Sequence, residues 1–127
     1  MHRSPLHGSP LEGDDFVVHE WRDDGTTSAE RPVAPLHIHH EDDEAWIVLE
    51  GSLGFRVGAE QVIAAAGDAV LAPAGVPHSY WNAGGGDARY LIVMTPRIAG
   101  LLSALHEPGA LDDPSGLYRW YASELLE

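Results

Sequence analysis

The chain has 127 residues, which fits a single domain that can bury a hydrophobic core without disulfide bonds. It has no cysteine, so a disulfide framework, thiol chemistry and a thiolate metal site are excluded. Its formal net charge is −13, and its seven basic residues are scattered arginines. We therefore expect no nucleic-acid partner and no membrane partner, and a cytoplasmic protein is the default expectation.

The N-terminal part of the chain predicts an arm followed by a strand. Residues 1–15 mix His, Pro, Ser, Gly and acidic residues, a composition that favours a flexible N-terminal arm. Residues 16–21 have the β-branched and aromatic content of a strand, which ends at the turn signal Asp24-Gly25. Prolines within residues 26–35 favour an edge or a connection there.

A series of short apolar runs occupies the centre of the sequence. The runs are 45–49, 53–57, 61–65, 69–72, 80–81 and 88–94, and glycine, proline or asparagine separates them. This spacing is typical of an antiparallel β-sandwich or barrel, which we predict over residues 16–95.

Helical spacing is confined to residues 96–127. Thr95-Pro96 provides an N-cap and a first-turn proline, and Pro108-Gly109 ends the apolar pattern that follows. That pattern consists of Ile98, Leu101, Leu102 and Leu105. A second short helix is predicted from Asp113-Pro114, with Leu117, Tyr121 and Leu125 on one face. We expect both helices to pack on the outside of the barrel or in a dimer contact.

A group of histidines and acids predicts a metal site. His37 and His39 lie two apart in an extended stretch, so their imidazoles share one face at a spacing of about 7 Å. Glu44 begins the next strand, and a hairpin would bring its carboxylate beside them. With His78 as a fourth donor, the set suits a divalent first-row metal.

These residues belong to two motifs. The first comprises His37, His39, Glu44 and Gly51, with four residues between His39 and Glu44 and six between Glu44 and Gly51. The second comprises Gly67, Pro73, Gly75, His78 and Asn82, and fifteen residues, 52–66, separate the two. Together they resemble the two motifs of the cupin superfamily over roughly residues 30–95, although Arg31 stands where the family has a glycine. The tail is similar to that of small quercetin dioxygenase-like cupins.

The resemblance implies a fold and a ligand set. The fold is an all-β, antiparallel double-stranded β-helix, or jelly-roll barrel, with a short C-terminal helical tail. His37, His39, Glu44 and His78 are the expected ligands of one divalent transition metal, Fe, Mn, Ni or Zn. The alternative for these four residues is a hydrogen-bonded polar barrel centre without metal. A homodimer is also expected at the level of the family.

The resemblance further implies a metal-dependent dioxygenase for a small apolar or aromatic oxygenated substrate, with Glu44 as both ligand and catalytic base. The candidate pocket residues are Trp46, Phe55 and Tyr80. Two alternatives stay open: a non-enzymatic small-ligand-binding or sensor protein, and a redox-neutral isomerase or lyase. The aromatic character of the candidate pocket disfavours a phosphosugar as the substrate. Arg56 and Arg89 nevertheless stay candidate contacts for an anion.

We expect the remaining histidines and the acidic residues before Glu44 to lie outside the metal site. His40 points away from His39 and is assigned to solvent or to a supporting contact. The histidines at positions 2, 7, 19 and 106 are interpreted as surface residues, and residues 41–43 as a solvated turn.

Overall fold

The computed structural model describes residues 9–126, which form two five-stranded β-sheets and two α-helices. The strands are β1 (Leu11–Glu12), β2 (Val17–Asp23), β3 (Ala34–His39), β4 (Glu44–Glu50), β5 (Ser52–Val57), β6 (Glu60–Ala65), β7 (Ala69–Ala72), β8 (His78–Asn82), β9 (Ala88–Met94) and β10 (Ser123–Leu125). The helices are α1 (Pro96–Leu105) and α2 (Pro114–Trp120), with a short 3-10 turn at Ala110–Asp112 between them.

The two sheets form an antiparallel barrel, which confirms the predicted all-β, double-stranded β-helix fold. One sheet has the order β1-β2-β9-β4-β7 and the other β10-β3-β8-β5-β6, and all paired strands are antiparallel. Every second residue of β4 and β9 is buried, as expected of strands with one face on a core. The core therefore lies between the sheets.

The strand that carries His78 is covered on both faces. All five residues of β8 are buried, and its inner face carries His78 and Tyr80. On the outer face the indole ring of Trp81 lies against the backbone of Gly54, where any side chain would overlap with the ring. Position 54 therefore has no room for a side chain, and β5 and β8 are joined by antiparallel pairing along their length.

The first predicted helix is confirmed in its bounds. Thr95 caps α1, since its side-chain oxygen accepts a hydrogen bond from the Ile98 N–H at 3.2 Å, and the helix ends before Pro108-Gly109. Neither of the two α-helices within residues 9–126 is long and apolar enough to cross a membrane.

The second predicted helix is shorter than expected. Helix α2 ends at Trp120, and Ala122 adopts a left-handed conformation with φ 54° that turns the chain into β10. Leu125, predicted on a helical face with Leu117, therefore lies on a strand that pairs with β3. The helical spacing of these leucines was misleading because pairing with an available strand edge also buries them.

The described part of the predicted N-terminal arm includes a short strand. Strand β1 pairs with β2, so residues 11–12 extend the first sheet. The first eight residues of the predicted arm lie outside the described residues.

Glu44 reaches the histidines by a route that differs from the predicted hairpin. Strands β3 and β4 belong to different sheets, and residues 40–43 cross from one sheet to the other. The carboxylate thus faces the histidines across the barrel interior, where both sheets contribute to one site.

Candidate metal centre

Four potential ligands meet in the barrel interior. One ligand atom from each of His37, His39, Glu44 and His78 lies within 4.8 Å of the other three, and all four side chains are buried. No residue among them is more than 5% exposed. The structure therefore brings together all four residues that the motifs predicted.

The three histidines are delivered by neighbouring strands. His37 and His39 are the two fully buried positions of β3, as the alternation of a strand requires. On β8, His78 is the cross-strand partner of His37, and the centres of their rings are 4.3 Å apart. Strand pairing thus fixes the relative positions of these two rings.

Glu44 contacts two of the histidines directly. Its Oε1 lies 3.2 Å from His39 Nε2 and 3.3 Å from His78 Nε2. These contacts place one carboxylate oxygen close to the Nε2 atoms of both histidines.

The loop before His78 is tied to the turn before Glu44. Gly75, with φ 81°, donates its N–H to the carbonyl of His39 at 2.8 Å, and Ala74 donates to Asp43 Oδ1 at 2.7 Å. Glu41 and Asp43 are exposed, as predicted for a solvated turn, although Asp43 also accepts this hydrogen bond. Asp43 joins the two motifs, and Asp42 is buried.

Each histidine directs its Nδ1 away from the centre, toward a hydrogen-bond partner. His37 Nδ1 lies 2.6 Å from the carbonyl of Pro35, His78 Nδ1 lies 3.1 Å from that of Val76, and His39 Nδ1 lies 2.6 Å from Ser123 Oγ. A carbonyl accepts only, so His37 and His78 carry a proton on Nδ1 and present Nε2 to the centre. This arrangement is typical of histidines that bind metal through Nε2.

Burial and mutual contacts shift the acidities of this group. Burial, with the neighbouring His78 and His39, lowers the pKa of His37 to about 3, so its ring is neutral at physiological pH. Burial alone raises the pKa of Glu44, but the close contacts of its Oε1 with the imidazoles of His39 and His78 outweigh burial and bring the pKa to about 2. The centre thus combines an ionised carboxylate with at least one imidazole held neutral.

The donor set fits a divalent metal ion. Imidazole nitrogen and carboxylate oxygen suit first-row metals such as Fe, Mn, Ni and Zn. Nitrogen lone pairs that converge on a buried carboxylate are unfavourable unless a cation lies between them. These four residues would hold the ion, and a metal that accepts more than four ligands would also bind water or a small molecule there.

A cavity of about 420 Å³ opens beside this centre. His37, His39 and Glu44 form its polar end, and the rest of its wall is apolar or aromatic. The predicted pocket residues Trp46 and Tyr80 line it, whereas Phe55 packs behind their rings in the core. Phe55 is therefore a core residue between the two sheets and does not line the cavity.

The predicted anion contacts lie elsewhere. Arg89 pairs with Glu20 and Glu50 on the first sheet, and Arg56 is exposed on β5. Neither lines the cavity, because both point to the outer face of their strands. His40 is exposed, in agreement with its assignment to solvent.

The C-terminal tail supplies a wall that the sequence interpretation missed. Leu101, Leu102, Leu105, Pro114, Tyr118 and Leu125 all line the cavity. The tail therefore closes the barrel, rather than packing only on its outside. The apolar spacing of α1 was visible in the sequence, but spacing alone does not tell a core contact from a cavity wall.

Two further residues at the cavity were missed. Trp21 lines the cavity from β2 and stacks on His106, with ring centres 5.6 Å apart. His106 is exposed, as predicted, yet it also belongs to the wall. No local motif surrounds either residue, so only the folded arrangement identifies them.

Removal of a ligand histidine is expected to remove metal. Substitution of His39 or His78 by alanine should weaken binding of a divalent metal by about 100-fold or more, since loss of a supporting contact alone costs 10- to 100-fold. Metal content and dissociation constants of untagged protein measure this. His40→Ala is the matched control and should bind like the wild type. Full binding by the His39 and His78 variants would refute the ligand assignment.

Acid should destabilise the metal-free protein over a pH range that is set by the pKa of His37 in the unfolded and the folded chain. The unfolded chain takes up a proton at His37 near pH 6.5, whereas the folded chain does so only near pH 3. The free energy of unfolding therefore falls as the pH drops below about 6.5, by at most about 1.4 kcal/mol per pH unit for this group. Glu44, whose ordinary pKa is 4.5, adds to the loss only below that pH.

Chemical denaturation between pH 7.5 and pH 5 in the presence of a chelator measures this effect. The variant His37→Gln should show a smaller loss of stability over the same range. An identical pH dependence in both proteins would contradict the shifted pKa of His37.

Comparison with known proteins agrees with this site. Residues 26–94 match the model of the cupin domain family (Cupin_2). A segment of 46 residues is 41% identical to the quercetin 2,3-dioxygenase of Bacillus subtilis and covers 36% of this chain. The matched segments span only 14% and 63% of two curated relatives.

Solved structures give the same fold. TT1209 from Thermus thermophilus is 26% identical with a TM-score of 0.57, over 76% of this chain and 90% of that one. A structure described as a sugar phosphate isomerase from a cupin superfamily, from Silicibacter pomeroyi, is 28% identical with a TM-score of 0.54, over 64% of this chain and 50% of that one. With the two motifs, the barrel and the family match in agreement, the chain belongs to the cupin family.

Proposed function

We propose that the protein is a metal-dependent dioxygenase that acts on a small apolar or aromatic molecule carrying oxygen substituents. The observation that supports this is the contrast between the two ends of the cavity. Three of the four candidate metal ligands, His37, His39 and Glu44, form one end, and most of the remaining wall consists of apolar and aromatic side chains.

The size of the cavity suits a small molecule. A volume of about 420 Å³ lies in the lower part of the range of ligand pockets. The rings of Trp21, Trp46, Tyr80 and Tyr118 contribute to its wall. Flat aromatic substrates gain both area and favourable ring contacts against such a wall.

The charges of the site favour a substrate with one acidic oxygen. A divalent ion, Glu44 and neutral imidazoles together carry a net charge of about +1, which one oxygen anion compensates. Among residues 9–126, no arginine lines the cavity, so a second anionic group such as a phosphate would lack the bidentate partner that commonly binds it. This disfavours a sugar phosphate substrate.

Two polar groups in the wall offer hydrogen bonds to substrate oxygens. The Nε1–H of Trp21 is buried and has no acceptor among the described residues. Burial, together with the charge of Glu44, raises the pKa of Tyr118 to about 12, so its hydroxyl stays protonated and able to donate. An oxygenated ring satisfies both donors better than a hydrocarbon does.

The chain's own residues bind and orient the substrate and move one proton. When bound, a redox-active metal would supply Lewis-acid activation of the substrate oxygen and mediate electron transfer to dioxygen. Glu44 Oε1 is ionised and accepts the proton of the substrate hydroxyl. The apolar wall excludes water from the reacting atoms. Both oxygen atoms enter the product and the substrate provides the electrons, so no separate reductant is needed.

The named relatives support different chemistries. The identity to a quercetin 2,3-dioxygenase supports oxygenase chemistry, and the similarity to a structure described as a sugar phosphate isomerase supports the redox-neutral alternative. Glu44 serves as a base in either case. The lack of an arginine in the described part of the cavity wall favours the oxygenase.

Oxygen uptake distinguishes these functions. Protein loaded separately with Fe, Mn, Ni and Co is mixed with a panel of flavonols, diketones and catechols. We expect at least one compound to be consumed with one equivalent of dioxygen, and the His39→Ala variant to be inactive as a control. If metal-loaded protein consumes none of them, the oxygenase proposal is wrong. Conversion of a substrate without oxygen uptake would favour the isomerase or lyase.

A further inference from the structure

The C-terminal strand gives the ligand-bearing strand its second neighbour. Strand β3 pairs with β8 on one side and with β10 on the other. In the second pairing, Ser123 lies opposite His39 and Leu125 opposite His37. Without β10, the strand that carries two ligands would be the edge of its sheet, where local opening is easiest.

Ser123 holds His39 by a hydrogen bond whose direction can be assigned. Ser123 is 2% exposed, and its Oγ lies 3.0 Å from the carbonyl of Tyr121 and 2.6 Å from His39 Nδ1. A hydroxyl has one hydrogen and a carbonyl only accepts, so both contacts are hydrogen bonds only when Ser123 donates to the carbonyl of Tyr121. Ser123 Oγ therefore accepts from His39 Nδ1–H.

This contact differs from those of the other two ligand histidines. His37 and His78 donate to backbone carbonyls two residues before them, and no side-chain substitution removes those acceptors. His39 alone among the three depends on a side chain, 84 residues away along the sequence. One of the three candidate ligand histidines thus has its Nδ1 partner on the C-terminal tail.

The tail is built to hold Ser123 in this position. Ala122, directly before Ser123, adopts a left-handed conformation with φ 54°, which costs free energy for a residue with a side chain. The ring of Tyr121 rests on Gly100 of α1, where an added Cβ would lie 2.8 Å from Tyr121 Cε1. The backbone bonds His40 N–H to Ala122 O and Leu126 N–H to Leu36 O, both 2.9 Å, flank the strand.

We infer that Ser123 is a positioning residue for the metal centre, because it keeps the proton of His39 on Nδ1 and leaves Nε2 free to bind. This inference rests on the proposed metal binding. It adds that β10, through Ser123, orients one of the metal ligands. Loss of the acceptor allows the proton to move to Nε2, where Glu44 Oε1 at 3.2 Å accepts it. Metal binding then has to displace that proton.

A pair of variants of similar shape tests the hydroxyl group. Ser123→Thr keeps the hydroxyl group that accepts the hydrogen bond. Ser123→Val has nearly the same volume as the threonine variant but carries a methyl group in place of the hydroxyl group. In metal-free protein at pH 8, the ¹⁵N NMR spectrum of the histidine rings reports which nitrogen carries the proton. We expect Nδ1–H at His39 in the wild type and the threonine variant, and a shift toward Nε2–H in the valine variant.

Metal affinity is the second measurement on the same proteins. Competition with a chelator should show Zn²⁺ or Co²⁺ bound about 10- to 100-fold more weakly by the valine variant, with the threonine variant like the wild type. Circular dichroism verifies that both are folded. Glu124→Ala, at the exposed neighbouring position of β10, should bind like the wild type.

The outcomes separate this inference from the proposed function. Equal affinities and an unchanged Nδ1–H in the valine and threonine variants would overturn the role of Ser123. An equal loss of affinity in Glu124→Ala would overturn it as well, because any disturbance of β10 would then suffice. If the wild type binds no metal, the proposed function fails, while the proton position in metal-free protein still decides for or against Ser123.

Discussion

Three imidazole rings and one carboxylate converge in the barrel interior with their ligand atoms within 4.8 Å of one another. Burying these groups is costly unless a cation compensates the carboxylate and the nitrogen lone pairs. The outward Nδ1 contacts to Pro35, Val76 and Ser123 orient the rings so that Nε2 faces inward. The orientation of each ring depends on the strand that carries it and on the acceptor that its Nδ1 contacts. Much of the surrounding structure provides these strands and acceptors.

The two sheets and the tail meet this requirement together. Strands β3 and β8 bring the histidines from one sheet, and β4 brings Glu44 from the other. The loop before His78 is joined to the turn before Glu44 through Asp43, so the two motifs support each other. The helices of the tail then close the cavity with apolar side chains, and β10 returns beside the histidine strand. The same segment thereby lines the cavity and contacts the strand that carries two candidate metal ligands.

Local pattern predicted much of this architecture. The runs at 69–72 and 88–94 coincide with β7 and β9, and the four ligands follow from two motifs with fixed spacing. Long-range pairing is where prediction failed. Leu125 has helical spacing yet joins a strand, and Ser123 reaches His39 only because Ala122 turns the chain back. Phe55 and Trp46 are both large aromatics near the site, and only packing distinguishes the core residue from the cavity wall. The homodimer and the cytoplasmic location stay predictions.

The most direct test of the metal centre is a crystal structure of the protein after exposure to Zn²⁺ or Co²⁺, with anomalous diffraction recorded at the absorption edge of the metal. We predict one strong anomalous peak at about 2.0–2.2 Å from Nε2 of His37, His39 and His78, with Glu44 as the fourth ligand. A fully loaded crystal with no peak among these four residues, or with the metal bound elsewhere, would contradict this assignment.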